Sequence, residues 1–216
     1  MAAMEEKNNN NPNDSGNASA KKDDSGIVGF IYDTLEMLAV AIALVLLVMT
    51  FFVRHSPVQN HSMKPTIIGY DPPVDTVGDV VLLSNFFYTP KTGDIVVIQR
   101  KYNMSEPLIK RVIAVGGDKL EINFEKWEVR VNGVLLEEDY INKEDRDSGA
   151  RMASGSCDPD GDGIFTYEIP KGEVFVMGDN RNHSDDSRAI GCIDERYIVG
   201  RVFFRIWPFA RIGAID

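Results

Sequence analysis

Cysteine is nearly absent: Cys157 and Cys192 are the only two in 216 residues. That is too few for a disulfide framework or a four-cysteine zinc site. Two unpaired, partly buried thiols are expected, with one bridge in an oxidising compartment as the alternative. Positive charge is also short, with 23 Lys and Arg against 33 Asp and Glu and a formal net charge of -10. Nucleic acids are bound by a basic footprint, so this balance argues against a nucleic-acid partner. The chain has a single long apolar run, which excludes a multi-span transporter. It has no internal repeat, and sustained helical periodicity is missing outside that run. What is present is 44% hydrophobic residues. That is too apolar for disorder throughout, and enough for one sizeable core or a core with a small subdomain.

Residues 1–26 are Asn-rich and almost free of large apolar groups, so they form an expected disordered tail. It is not a basic recognition tail, because Lys7, Lys21 and Lys22 are outnumbered by Glu5, Glu6, Asp14, Asp23 and Asp24. Met37–Val53 then runs without a charge, covering ~25 Å at ~1.5 Å per residue, and Ile27–Tyr32 can extend it. No polar stripe interrupts the run, as a buried soluble helix would require. Phe51-Phe52-Val53-Arg54 lacks the small residues of a signal cleavage site. Residues 27–53 are therefore expected to be a retained single-pass transmembrane anchor. Lys21 and Lys22 before it and Arg54 and Lys64 after it leave its orientation open.

From Arg54 onward, short β-branched runs alternate with Gly, Pro, Asn and Asp. They include Asp79–Leu83, Asp94–Ile98, Leu108–Val115, Glu173–Met177 and Tyr197–Ile206. Trp127–Val131, Asn132-Gly133 and Val134–Leu136 read as a hairpin, since Asn-Gly suits a type I′ turn. The expected fold is an all-β ectodomain of folded antiparallel sheets or a partial barrel, behind one N-terminal transmembrane helix.

Three segments concentrate the chemistry. The first is Asn60-His61-Ser62-Met63-Lys64-Pro65-Thr66-Ile67, shortly after the anchor. An extended chain from Val53 reaches at most ~28 Å, which keeps Ser62 near the membrane surface. In the second, Pro107 to Asp118, Lys110 sits inside an apolar β-run. Desolvation there disfavours the ammonium, and a neutral amine can take a proton from a serine hydroxyl. The plainer alternative is a lysine that snorkels from an edge strand or pairs with a carboxylate. The third, Gly178–Arg188, is a polar loop after an apolar strand. Asp179, Arg181, Asp186 and Arg188 can make it rigid through charge-assisted bonds.

Read in order, these segments resemble the ordered boxes of bacterial type I signal peptidases. The boxes are Ser62-Met63-Lys64-Pro65-Thr66, Gly93–Val97, Lys110-Arg111-Val112 with Gly116-Gly117-Asp118, and Gly178-Asp179-Asn180-Arg181 with Ser184, Asp186, Ser187 and Arg188. The resemblance runs from Met37 to about Pro208. It implies a membrane-bound serine endopeptidase that removes signal peptides from exported preproteins after small residues. In that scheme Ser62 is the nucleophile and neutral Lys110 the general base. Ser184 orients the lysine, and Asp186 and Arg188 support the loop. The Ser62 backbone N–H supplies one oxyanion donor. Val58, Met63, Ile67, Leu108 and Ile109 align with shallow apolar substrate pockets. Relatives carry a hydroxyl residue or glycine two positions before the nucleophile, where this chain has Asn60. Its amide is a candidate second oxyanion donor, and a turn role is equally natural. The resemblance further implies residues 54–118 and 171–216 as the catalytic β domain, with 119–170 an inserted variable β subdomain. The loose stretch from Tyr140 to Gly163 within it is expected to be mobile. It also implies an extracytoplasmic catalytic domain, the lipid bilayer as a partner, and no cofactor or metal.

Rival assignments are weaker. Lys64 shares the Ser62 face only if the backbone stays extended, and nothing apolar surrounds it. His183 and Asp185 offer a nominal triad with Ser62, but His183 lies in a wholly polar loop. Asp158-Pro-Asp160-Gly-Asp162-Gly163 starts like a calcium loop, yet Ile169 stands where the closing Glu belongs. The remaining alternatives for the whole chain are a related Ser/Lys processing protease and an inactive membrane-tethered β-domain partner.

Overall fold

The computed structural model describes residues 23–70, 77–99, 107–157 and 163–215. The tail to residue 22 and the Asp158, Asp160 and Asp162 carboxylates of the calcium-like segment lie outside these residues. Among the described residues one long helix, α1, spans Asp23–Phe52. Within it Gly26–Thr50 is apolar over 25 residues, about 37 Å at 1.5 Å per residue and enough to cross a hydrocarbon core. It is a candidate membrane span.

Val48–Asp216 forms a separate compact unit. Its strands are β1 (Arg54–Pro57), β2 (Val80–Ser84), β3 (Ile95–Ile98), β4 (Leu108–Val115), β5 (Lys119–Asn123), β6 (Glu128–Val131), β7 (Val134–Leu135), β8 (Ile164–Glu168), β9 (Glu173–Met177), β10 (Ile193–Asp194), β11 (Ile198–Trp207) and β12 (Gly213–Ala214). They make two antiparallel sheets. One is eight-stranded, in the order β1-β2-β11-β3-β4-β9-β10 with β12 on β11; the other is β7-β6-β5-β8. The expected all-β architecture is thus observed. Lys119–Glu168 supplies the whole smaller sheet, while the larger one draws its strands from both sides of that interval.

Burial follows strand position. In β5, Leu120 and Ile122 point inward and Lys119 and Glu121 outward. β3 is buried along its whole length, as befits a strand covered on both faces. Ile95, Val97 and Ile109 join Val58, Met63 and Ile67 in one cluster, while Val96, Ile98 and Val112 join Val174 and Val176 in another. A bulge in the β4–β9 pairing follows Val112. Beyond it Ile113 and Ala114 enter a third cluster with Leu120, Ile122, Phe124 and Trp127, which welds the two sheets together. The Asn132-Gly133 turn forms as its residues require, with both φ positive at 54° and 81°.

The stretch from Tyr140 is better anchored than its composition suggests. Asn142 caps a short helix, α2 (Lys143–Asp147), by accepting from the Glu144 N–H. Ile141, Met152 and Cys157 are buried in the cluster between the sheets. Apolar residues spaced this widely leave no periodic signature, so their burial is invisible along the chain. Cys157 and Cys192 are both free thiols, and burial pushes each up to about 11, so they are poor nucleophiles at neutral pH.

Candidate active site

β4 holds Lys110 opposite Val96 of β3, with 2% of its side chain exposed. Its Nζ donates to Ser62 Oγ at 2.6 Å. Burial pushes the amine down to about 8, while Asp186, Asp185 and Asp179 pull the other way. Ser62 stands in a turn closed by Lys64 N–H donating to the His61 carbonyl and Ile67 N–H to that of Met63. Val58, Met63 and Ile67, all buried, peg this turn into the core.

The Gly178–Arg188 loop clamps the same turn from the other side. Asn180 donates through its backbone N–H to the Ser62 carbonyl at 2.9 Å and through Nδ2 to the His61 carbonyl at 3.1 Å. Asp179, fully buried, receives both Nε and Nη2 of Arg111 at 2.9 Å and the Thr66 hydroxyl at 2.5 Å. Arg111 in turn lies under the Tyr140 ring, 3.9 Å from its centroid. The loop's expected internal network is half right. Asp186 and Arg188 do pair, through Nε at 2.8 Å and Nη2 at 2.7 Å. Asp179 instead pairs with Arg111, and buried Arg181 with Glu138. Those two partners lie on other elements, which spacing within the loop could not reveal.

Asp186 gathers the loop. It accepts from Gly178 N–H at 3.0 Å and Ser184 Oγ at 2.7 Å besides Arg188. Burial alone would raise its carboxyl, yet the Arg188 guanidinium holds it below the usual value. Arg188 also donates to the Ala153 and Arg181 carbonyls, and its backbone N–H donates to Asp186, which caps the short helix α3 (Ser187–Ile190). Ser184 therefore bonds Asp186 rather than Lys110, although it lines the same cavity as Lys110 and Ser62. Gly178 separates the two loops: a Cβ there would run into the Ser62 carbonyl and Ser184 Oγ. Gly178→Ala is expected to push the Ser62 turn away and lengthen the Ser62 Oγ–Lys110 Nζ contact beyond 2.6 Å. A crystal structure of the variant checks this.

Two cavities meet at the Ser62–Lys110 pair. One, of about 190 Å³, is lined by Val58, Met63, Leu108 and Ile109 among others. The second, of about 560 Å³, is walled by Asn182, His183, Ser184 and Asp185. Asn60, exposed, borders both. Ile67 lies under the turn and lines neither. β4 is paired to β9 only from Arg111 onward, so among the described residues Leu108–Lys110 have a strand neighbour on the β3 side alone. Of the rival groups, His183 Nε2 sits 3.8 Å from Asp145 Oδ2 rather than against Ser62.

A family model described as "Signal peptidase, peptidase S26" matches residues 31–207. The chain belongs to the S26 signal peptidases. Its relatives include a probable signal peptidase I-1 of Synechocystis, 32% identical over 86% of this chain and 87% of that protein. Another is signal peptidase IB of Staphylococcus aureus, 33% identical over 83% of this chain and 91% of that protein. Among solved structures, a signal peptidase I from Enterococcus faecalis is similar with a TM-score of 0.43 and 28% identity, over 53% of this chain and 97% of that one. As an S26 signal peptidase I relative, the chain is a serine endopeptidase.

Proposed function

We propose that this S26 peptidase removes N-terminal signal peptides from exported preproteins, cutting after small residues, with Ser62 as nucleophile and Lys110 as general base. The 2.6 Å contact between Ser62 Oγ and a lysine buried to 2% exposure carries the proposal. Once the amine is neutral, the contact reverses and the hydroxyl donates to the nitrogen lone pair. Attack of Oγ on the scissile carbonyl then transfers the proton to Nζ. The resulting ammonium protonates the departing amine, leaving an acyl-enzyme on Ser62. A water deprotonated by Lys110 releases the signal peptide and restores the hydroxyl. The Ser62 backbone N–H and the Asn60 amide stabilise the oxyanion.

The substrate enters as an extended strand along Leu108–Lys110, with small side chains in the apolar cavity of Val58, Met63, Leu108 and Ile109. Ser184 acts through Asp186, holding its carboxylate and the loop in place, and Ile67 supports the Ser62 turn from below. The apolar helix anchors the enzyme as a single-pass membrane protein with the catalytic domain on the extracytoplasmic face. Sharing a bilayer with the preprotein raises the effective substrate concentration. The chemistry calls on no metal or cofactor, and nucleic acid is no partner.

Mass spectrometry of a model preprotein incubated in detergent tests this. Wild type is expected to release one mature fragment at a single position. Ser62→Ala is expected to fall by at least about 10⁴-fold, the scale on which nucleophile removal acts, while Lys64→Ala keeps most activity. Cleavage by Ser62→Ala at the wild-type rate would refute the assignment.

A further inference from the structure

The two cavities beside the Ser62–Lys110 pair differ in character. The smaller takes Val58, Met63 and Ile109 into its lining, while the larger adds His61, Asn182, His183, Ser184 and Asp185 beside Leu108 and two alanines. Because Ser62 and Lys110 line both, a peptide bond held over Ser62 Oγ borders both cavities. Aliphatic walls suit the small residues ahead of the cut, which leaves the polar cavity for residues beyond it.

The charge in that polar cavity is one-sided. Arg188 is buried and neutralised by its two bonds to Asp186. Lys110 works as the neutral amine, and His183 faces Asp145 at 3.8 Å. Asp185, by contrast, is exposed and makes no ion pair among the described residues. Resting on the peptidase reading above, we propose that the larger cavity receives the first residues after the scissile bond, and that Asp185 makes the enzyme favour cationic over anionic side chains there. Asp185 also opposes burial at Lys110, so its field reaches the reacting groups. Exposure limits the effect through screening, so the selectivity is a modest, salt-sensitive rate ratio.

Three peptides differing only in the residues just after the cut, Ala, Lys or Glu, provide the test, with kcat/KM measured at low and high salt. The Lys-to-Glu ratio is expected to be about fivefold at low ionic strength and to approach unity near ~0.5 M salt, where the Debye length is only a few Å. Asp185→Asn is expected to bring the low-salt ratio to about one, and Asp185→Lys to invert it. A general loss of structure would lower all three rates together and leave the ratio untouched. A wild-type ratio of one, or a ratio unchanged in Asp185→Asn, overturns the inference while cleavage of the Ala peptide keeps the peptidase reading intact. Failure to cut the Ala peptide at all would instead overturn the reading on which it rests.

Discussion

Lys110→Met is expected to abolish cleavage and, in the same protein, to make the β domain harder to unfold. The first effect follows from losing the proposed base, whose Nζ contacts Ser62 Oγ at 2.6 Å. A drop of at least about 10³-fold is expected, in the range that general-base catalysis and its geometry supply. The second follows from burial. The folded amine titrates at about 8, against an ordinary value of 10.5. Below pH 8 both folded and unfolded chains are protonated, and the fold carries the whole penalty of a buried ammonium. Between 8 and 10.5 the unfolded chain holds the extra proton, so stability climbs with pH. The gap converts to roughly 3 kcal/mol at most. Methionine, apolar and of similar length, removes that penalty. Urea unfolding at pH 7 should therefore show a raised midpoint, with the gain shrinking towards pH 10.5. Wild-type kcat/KM should rise with pH to a plateau, bending near 8 as the amine loses its proton. A bend near 10, or turnover surviving in Lys110→Met, would show that burial does not prepare this base.

Asp179→Ala is expected to be among the most damaging substitutions outside the reacting pair. Its carboxylate holds Arg111 in a two-point bond at full burial and fixes the Thr66 hydroxyl. Removing it strands a guanidinium that is only 3% exposed. Breaking one side of such a pair costs about 3–5 kcal/mol. Thr66 belongs to the segment that positions Ser62, so activity should fall as well as the unfolding midpoint. Arg196, 86% exposed in its pair with Asp194, gives the contrast. Arg196→Ala should leave the midpoint where it is, because solvent screens that pair. Equal midpoint shifts in the two variants would mean that the Asp179 network contributes nothing special.

These two residues also mark the limit of what the chain discloses on its own. The Asn132-Gly133 turn, the apolar N-terminal run and the β-branched strands are local patterns, and local patterns survive translation into structure. Lys110 stood out because a lysine in an apolar strand conflicts with its surroundings. The Arg111–Asp179 pair joins residues 68 apart, and Glu138–Arg181 joins residues 43 apart. Neither spacing carries a periodic or motif signal, so the partners emerge only when β4, β9 and the Tyr140 segment come together. Ser184 shows the same gap at shorter range. Its place in the boxes suggested a bond to the lysine, whereas its hydroxyl turns to Asp186, the stronger acceptor two residues away.

Among the described residues, Leu108–Lys110 of β4 pair with a strand on one side alone. On the proposed route, the preprotein supplies the missing rung of the ladder through its own peptide groups before any side chain is inspected. A guest can do so only while its backbone is slack and unpaired. A proline or an N-methylated bond laid against that lip would have no proton to give, and a stretch already committed to a helix could not lie flat. Timing would then be enforced by the sheet itself: the cut falls to chains caught in transit, and finished proteins drifting past are spared.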